Sequence, residues 1–194
     1  MSRQIAYDPF HVRQCLLRQF WAQGYAGTSL SRLEEASRLD RRQLYNGLGD
    51  KRAMFLQALD DFQEMAGRRF LSPLEAPTAG LSEIRNLLET FASLAASGDG
   101  QLGCFICSTS QEEIAGDANV KRRIESYFDR IEAAYRNALM CATERGEIAL
   151  KPDEAESLSA FLFGVHVSMS VLARAGQPAA RIRALANQAL RAIA

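Results

Sequence analysis

Apolar residues recur at intervals of three and four along almost the whole chain, and few runs of β-branched residues alternate with a period of two. A spacing of three and four places apolar side chains on one face of a helix, whereas alternation would indicate a strand. The pattern therefore predicts an all-α protein, and the hydrophobic content of 47% is ample for a core.

Turn signals and prolines divide this pattern into about nine helices. Asp8-Pro9 opens the first helix, because Pro suits a first helical turn. Pro73 and Pro77 are expected to end a helix that starts near residue 51, and Ser97 to Gly100 is predicted to be a loop. The predicted helices span about 9–23, two short stretches within 28–49, and then 51–70, 81–96, 104–115, 119–144, 152–175 and 178–193.

Residues 24–55 are the most informative segment, because they predict two very short helices joined by a tight turn. Gly24 is expected to end the helix before them, and Thr28 is expected to cap the first of the two. Ser37-Arg38 supplies the turn. Asp50 is placed to cap the following helix, with Lys51 in its first turn.

The second short helix begins with an unusual cluster of polar residues. Asp40 and Gln43 have the spacing of a capping box, which places Arg41, Arg42 and Gln43 in the first helical turn. In helix-turn-helix proteins this end of the second helix enters the DNA major groove. Two arginines and an amide there suit the reading of base edges, and Tyr45, one turn later, can reach a phosphate.

This segment resembles the DNA-binding domain of the tetracycline-repressor (TetR) family of transcriptional regulators. Arg38 stands in place of the turn glycine, where a positive φ would cost about 1 kcal/mol. The close resemblance covers about a quarter of the chain. The family pattern is matched at Gly24-Tyr25, Thr28-Ser29, Leu44-Tyr45 and Lys51, is conservatively replaced at Leu33, Leu39, Leu48 and Asp50, and is departed from at Glu34, Ser37, Arg38 and Arg42.

The resemblance implies a fold and a function. We expect a three-helix, helix-turn-helix DNA-binding head over residues 1–52 and a helical effector-binding and dimerisation body over residues 53–194. The implied function is that of a ligand-responsive regulator, a repressor released from a palindromic double-stranded DNA operator by a small-molecule effector. The expected DNA-binding residues are Thr28, Ser29, Arg41, Arg42, Gln43, Tyr45 and Lys51.

The last two predicted helices carry apolar stripes that could join two copies of the chain. A two-fold dimer reads two half-sites at once, which gives a physical motive for a homodimer. The alternative is that these stripes face only their own core. The expected interface residues are Leu158, Phe161, Val165, Met169, Leu185, Ala189 and Leu190.

The middle helices are expected to hold the effector pocket, because small organic ligands use apolar cavities with a few polar groups. The alternative for each residue is ordinary core packing, and His166 could be a hydrogen-bonded core histidine. The candidate lining residues are Phe91, Cys104, Phe105, Cys107, Tyr127, Phe128, Ile131, Tyr135, Phe163 and His166.

Cys104 and Cys107 form a Cys-x-x-Cys motif that allows three interpretations: a thiol sensor, a metal site or plain packing. A structural zinc site would need a second Cys or His pair, and His11 and His166 are isolated in sequence, so we expect no metal. A position at a helix start would lower the pKa of Cys104 and make its thiol more reactive.

Charge and composition narrow the function classes further. The formal net charge is zero, so the chain is not a uniformly basic nucleic-acid coat. Residues 1–60 hold nine Lys or Arg against six Asp or Glu, whereas residues 61–120 hold three against nine. A basic end beside an acidic middle suits a protein that presents one face to phosphates.

The sequence shows no signal-peptide core at its start and no uninterrupted run of the ~20 apolar residues that a membrane span needs. We therefore expect a cytoplasmic protein with reduced cysteines and no membrane partner. No catalytic triad, phosphate-binding Gly loop or carboxylate pair is evident, so we expect no enzyme and no cofactor. The rival hypotheses are a thiol enzyme using Cys104 and a ligand-binding or scaffold protein that has lost DNA binding.

Overall fold

The computed structural model describes residues 7–193, whose regular secondary structure is entirely helical, without a β-strand. The outer ends of the predicted head and body, residues 1–6 and residue 194, lie outside the described residues. The α-helices are α1 (Pro9–Gly27), α2 (Leu30–Ser37), α3 (Arg41–Leu48), α4 (Lys51–Ala66), α5 (Ser72–Glu75), α6 (Leu81–Leu94), α7 (Phe105–Thr109), α8 (Ala118–Glu144), α9 (Pro152–Arg174) and α10 (Ala179–Arg191).

Local capping residues set several helix starts as the sequence predicts. Asp8 accepts a hydrogen bond from the Phe10 amide at 3.0 Å, with Pro9 as the first helical residue. Asp50 accepts from the Ala53 amide at 2.7 Å. Each carboxylate satisfies a backbone donor that has no partner within its helix.

Three predicted boundaries are wrong. Pro73 does not end the helix that starts at Lys51, because a π-helical turn (Gly67–Leu71) follows α4 and leads into α5, where Pro73 is tolerated near the first turn. The predicted loop after residue 96 contains a 3₁₀ turn (Gly98–Leu102). The expected helix over 104–115 is divided into α7 and a 3₁₀ turn (Glu113–Gly116).

A continuous row of aromatic rings joins the head to the body. Phe55 of α4 lies edge-on to Phe20 of α1, with ring centroids 5.1 Å apart, and to Phe105 of α7 at 5.6 Å. Phe62, two turns further along α4, contacts Phe105 at 5.9 Å and Tyr127 of α8 at 6.1 Å. These edge-to-face pairs add to the burial of large apolar surfaces, so the two parts share one core.

The body surrounds α8, which packs most extensively against α9, while α10 packs against α6 and α9. Among the described residues α9 alone has the length and composition of a membrane span, which is weak evidence because core helices of soluble proteins share that composition. A third of its most apolar stretch is buried within the chain, so much of this helix remains uncovered in a single copy.

Candidate nucleic-acid interface

The α2–turn–α3 segment forms a helix-turn-helix. Arg38 ends α2 in the left-handed region, at φ 57° and ψ 27°, and is the one non-glycine residue with positive φ in the described part of the chain. Leu33 of α2 and Leu44 of α3 are fully buried and hold both helices against the head. The turn therefore has the shape that the sequence predicts, at the conformational cost of an arginine where glycine is favoured.

The capping box at the start of α3 is present. Asp40 Oδ1 accepts a hydrogen bond from the Gln43 amide at 2.8 Å, and Gln43 Oε1 accepts from the Asp40 amide at 3.0 Å. This arrangement leaves Arg41, Arg42 and Gln43 exposed together on the first turn of α3. Arg41 is half-exposed and its Nη2 lies 3.3 Å from Glu34 Oε2, so α2 orients this guanidinium.

The residue that caps α2 is Ser29, and not Thr28 as the sequence predicts. Thr28 is fully buried and its hydroxyl donates to the Gly24 carbonyl at 2.7 Å, so this side chain closes α1 and is not exposed at the surface. Ser29 is the N-cap of α2, accepting from the Arg32 amide at 3.3 Å, and it is exposed. Ser and Thr are both good N-caps, so local sequence does not distinguish them.

Tyr45 and Lys51 lie on either side of the turn between α3 and α4. Tyr45 is exposed. Lys51 is half-buried, with its Nζ 4.3 Å from the centre of the Tyr25 ring, a cation–π contact. Burial lowers the pKa of Lys51, and the negative charge of Glu112 partly offsets that effect. Lys51 is thus held against α1, in a more fixed position than an ordinary surface lysine.

Four sets of hydrogen bonds tie this head to the body, and we refer to them together as the head–body link. The Trp21 indole donates to the Leu102 and Gly103 carbonyls, both at 3.2 Å. The Arg174 guanidinium, at the end of α9, donates to the Trp21 and Leu102 carbonyls at 3.0 Å and to that of Ala22 at 3.4 Å. These contacts join α1, the loop before α7 and α9.

The third part of the link is a carboxylate that binds the backbone beside the helix-turn-helix. Glu112 Oε2 accepts from the Tyr25 amide at 2.8 Å and from the Ala26 amide at 3.4 Å. Gly24 makes room for it: a Cβ there would lie 2.7 Å from the Glu112 carboxylate oxygens, and its φ of 72° also disfavours other residues. A carboxylate that accepts amide hydrogen bonds is a strong, charge-assisted contact.

The fourth part of the head–body link is a bidentate ion pair between α4 and the start of α8. Arg52 Nε and Nη2 donate to the two carboxylate oxygens of Asp117 at 2.7 and 2.8 Å. Asp117 is also the N-cap of α8. Hydrogen bonding from Arg52, together with the Asn119 and Val120 amides, lowers the pKa of Asp117 to about 2. A second ion pair joins the same two helices, where Arg123 of α8 donates to the Asp60 carboxylate of α4 at 2.7 and 2.8 Å.

Comparison with known proteins decides the family. Residues 80–189, more than half of the chain, match the family model described as the tetracyclin repressor-like, C-terminal domain. The chain belongs to the TetR family of DNA-binding transcriptional regulators. The resemblance noted in the head and the match in the body therefore cover complementary parts of one protein.

Curated relatives cover nearly the whole chain. An uncharacterised helix-turn-helix transcriptional regulator of Bacillus subtilis (strain 168), YezE, is 26% identical over 174 residues, covering 90% of each chain. The helix-turn-helix transcriptional repressor ComR of Escherichia coli (strain K12) is 24% identical, covering 90% of this chain and 83% of its own.

Solved structures share the same architecture. A cysteine mutant of the TetR-family regulator CifR, in complex with 26-base-pair operator DNA, superposes with a TM-score of 0.87 at 25% identity over 98% of this chain and 99% of its own. A TetR-family regulator from Agrobacterium tumefaciens superposes with a TM-score of 0.77 at 16% identity over 96% of this chain and 99% of its own. The all-α fold with a helix-turn-helix head is thereby confirmed.

The predicted effector residues of this TetR-family regulator pack tightly against one another. The Phe91 and His166 rings lie 4.6 Å apart, and those of Phe128 and Phe163 lie 5.3 Å apart. Tyr135 is fully buried, with its hydroxyl 3.4 Å from His166 Nδ1. Burial lowers the pKa of His166 to about 4, so its ring is neutral at pH 7. The buried members of the set are Cys104, Phe105, Cys107, Tyr127, Ile131, Tyr135 and His166.

The predicted dimer residues divide into two groups. Val165, Met169, Ala189 and Leu190 are buried within a single copy of the chain, so the alternative interpretation, that they face their own core, holds for these four. Leu158 and Leu185 are partly buried, and Phe161 is 46% exposed. A periodic apolar pattern on two packed helices does not tell which side meets the core.

The described residues contain no group of three or more His, Cys, Asp or Glu side chains placed to hold a metal ion. The sequence also gave no indication of the head–body link, since its partners are 65 to 153 residues apart. Only the fold brings them together.

The charge on Asp117 should stabilise the protein in a pH-dependent way. A carboxyl group whose folded pKa is about 2, against an ordinary 3.8, contributes stability above its unfolded pKa and loses it as the pH falls through the folded value. Asp117→Asn keeps an N-cap, because Asn is also favoured there, but removes the charge. We expect the variant to melt below the parent at about pH 7, and the difference to vanish as the pH falls from about 4 to 2.

Thermal unfolding followed by circular dichroism from neutral to acidic pH measures this difference. Arg52→Gln is the matched variant, since it removes the same ion pair from the other side. It should show a smaller difference with the same direction of pH dependence, because the Asn119 and Val120 amides still bind the Asp117 carboxylate. A melting-temperature difference that stays constant with pH would contradict the assignment to the ion pair.

Proposed function

We propose that this protein is an effector-controlled transcriptional repressor that binds a palindromic DNA operator as a two-fold dimer. One observation carries the DNA-binding half of the proposal: a capped α3 that displays Arg41, Arg42 and Gln43 together at its exposed start. The ComR relative is described as a repressor, and the CifR neighbour is bound to operator DNA. Both support the same role for this chain.

The geometry supports a division between base and phosphate contacts. Arg41, Arg42 and Gln43 are assigned to base edges, because a recognition helix enters the major groove by its N-terminal residues. Gln43 Oε1 is occupied by the capping box, so Gln43 reads bases through its amide NH₂ unless the cap opens. Tyr45 and Lys51 are assigned to phosphates.

Ser29 replaces Thr28 among the proposed phosphate contacts. It is exposed at the N-terminus of α2, an eight-residue helix whose first amides favour an anion. Thr28 keeps a structural role, since its hydroxyl is used within the chain. The proposed head therefore presents hydroxyl, ammonium and guanidinium groups along one face.

The exposed side of α9 is the proposed dimer interface. Phe161 is one of the few large apolar residues left exposed, and Ser168 lies two turns away on the same side. Gly164, between them, is exposed, and a Cβ there would have no neighbour within 4 Å, so a second helix could approach closely. Covering this face would also account for the apolar composition of α9.

The effector is proposed to enter the body core around His166, a neutral polar group beside the Phe91 and Tyr135 rings. Because these side chains are packed together, a ligand must separate them, and it therefore favours a body conformation that the free protein seldom adopts. Control requires that this conformation bind DNA less tightly, in which case DNA weakens effector binding by the same factor.

The proposed function also implies a division into domains, a role without catalysis and a cellular location. Residues 1–52 are proposed as the DNA-binding head and residues 53–194 as the effector-binding and dimerisation body. The protein is proposed to act as a regulator without catalysis, since the exposed first turn of α3 has no use in a thiol enzyme. A DNA partner and free cysteines support a cytoplasmic location.

Two substitutions test the contacts with DNA. Gln43→Glu keeps an acceptor for the capping box but removes the amide donors, so operator preference should relax at one or two base pairs, by about 1–3 kcal/mol each. Lys51→Ala should weaken binding to all DNA sequences alike. It should also reduce the slope of log affinity against log salt concentration by about one. Footprinting on DNA that flanks its own gene, followed by anisotropy titrations across base variants and salt, measures both. If both variants bind like the parent, α3 is not the reading helix.

A charge on α9 tests the dimer. Phe161→Glu would place an unpaired carboxylate in the interface, at a cost of several kcal/mol, so the variant should become a monomer in sizing with light scattering. Phe10→Glu is the control, because Phe10 is 63% exposed on α1 and should not affect assembly. A dimeric, DNA-competent Phe161→Glu variant would place the interface elsewhere.

A further inference from the structure

Cys104 and Cys107 occupy the two ends of the first turn of α7, a position that the proposed function leaves without a role. Cys104 is the N-cap of α7, and its carbonyl accepts the Ser108 amide at 3.0 Å, so the turn is fully formed. Residues three apart on a helical turn lie about 5–6 Å apart, within the range that a disulfide spans. Both thiols are free in this structure.

The two sulfurs have different chemical environments although they are neighbours. The neighbouring Cys107 thiol and the Cys107 and Ile106 amides lower the pKa of Cys104, and burial of the thiol opposes this effect. The same contact, together with burial, raises the pKa of Cys107. The thiol that ionises first is the nucleophile toward an oxidant, and the other, one helical turn away, resolves the product.

The pair is enclosed but lies close to solvent. Cys104 is 8% exposed and Cys107 is 2% exposed. A surface cleft of about 200 Å³ between α7 and the end of α9 reaches Cys107 and is lined also by Ser108, Gln111, Ser170 and Arg174. A small oxidant could approach through this cleft, whereas a large one could not.

The turn that carries the pair is part of the head–body link. The Leu102 and Gly103 carbonyls, immediately before Cys104, accept the Trp21 indole. Phe105, between the two cysteines, packs against Phe55 and Phe62 of α4. Gly103 has little room to move: a Cβ there would lie 2.5 Å from the Ser170 carbonyl oxygen. A change in this turn must therefore be transmitted to α1 and α4.

We propose that Cys104 and Cys107 are a redox modification site, at which a small hydroperoxide converts the two thiols to a disulfide and thereby weakens operator binding. The change in DNA affinity rests on the proposed function, whereas the thiol chemistry does not. Closing the disulfide draws the two sulfurs to bonding distance, which displaces Phe105 and the carbonyls that hold Trp21.

The chemical step balances with hydrogen peroxide as the oxidant. One of the two cysteines, as its thiolate, attacks one peroxide oxygen, the O–O bond breaks, and the departing hydroxide takes a proton to become water, leaving a sulfenic acid on that cysteine. The sulfur of the other cysteine then attacks the oxidised sulfur, the S–O bond breaks, and the hydroxide leaves as water with the proton of the attacking thiol. Two thiols lose two electrons, the peroxide is reduced to two waters, and a thiol reductant reverses the disulfide by exchange.

The test uses the full-length protein, first reduced and then treated with hydrogen peroxide. Non-reducing peptide mass spectrometry should find a Cys104–Cys107 cross-link, and anisotropy should show an operator Kd at least about fivefold weaker, restored by dithiothreitol. Cys104→Ser and Cys107→Ser should abolish the loss of affinity, and the corresponding Ala variants provide a second pair if the Ser variants fold poorly. Cys15→Ser and Cys141→Ser are the matched controls and should respond like the parent.

The outcomes separate this proposal from the proposed function. Failure of the reduced parent to bind any flanking DNA would overturn the proposed function. Detection of the cross-link would still test whether Cys104 and Cys107 form a disulfide, because that measurement needs no DNA. Absence of the cross-link after peroxide, or a cross-linked protein whose operator Kd is unchanged, would overturn the redox proposal. A peroxide effect that persists in both Cys104→Ser and Cys104→Ala would overturn it as well.

Discussion

The position of the helix-turn-helix depends on Phe55, whose ring lies edge-on to Phe20 in the head and to Phe105 in the body. Because Phe55 is fully buried on α4, the head cannot tilt without disturbing the packing of α7. Interiors this closely packed change between discrete arrangements and do not deform smoothly. The aromatic row therefore makes the head and the body one mechanical unit.

Polar contacts around this aromatic core fix the orientation of the head on the body. Glu112 fixes the Tyr25 and Ala26 amides just before α2, and Asp117 fixes Arg52 at the start of α4. An effector that opens the core around His166 and a disulfide that tightens the first turn of α7 would both reach the head through the same contacts. In the proposed mechanism these are two inputs to one conformational equilibrium.

Local sequence predicted what depends on local chemistry. The cap at Asp40 with Gln43 and the turn at Arg38 could be identified from spacing, because their partners are within four residues. The choice of Ser29 over Thr28 as the cap could not be identified in this way, because it depends on the position of the Gly24 carbonyl.

The sequence pattern did not indicate a role for Glu112 or Asp117, since an acidic residue on a helical stretch is usually solvated. Only the fold shows which amide or guanidinium each carboxylate contacts. The buried position of Val165 and Met169 likewise depends on how α9 rotates against α8, which an apolar period does not specify.

Body contacts hold the DNA-binding head in place, and amide hydrogen exchange in a Glu112→Ala variant tests this most directly. We expect faster exchange at the Tyr25 and Ala26 amides than in the parent, since the carboxylate that accepts their hydrogen bonds is gone. Exchange in the buried part of α8 around Tyr135 should be unchanged, and the neighbouring Glu113→Ala variant should behave like the parent. Unchanged protection of Tyr25 and Ala26 in Glu112→Ala would contradict the claim.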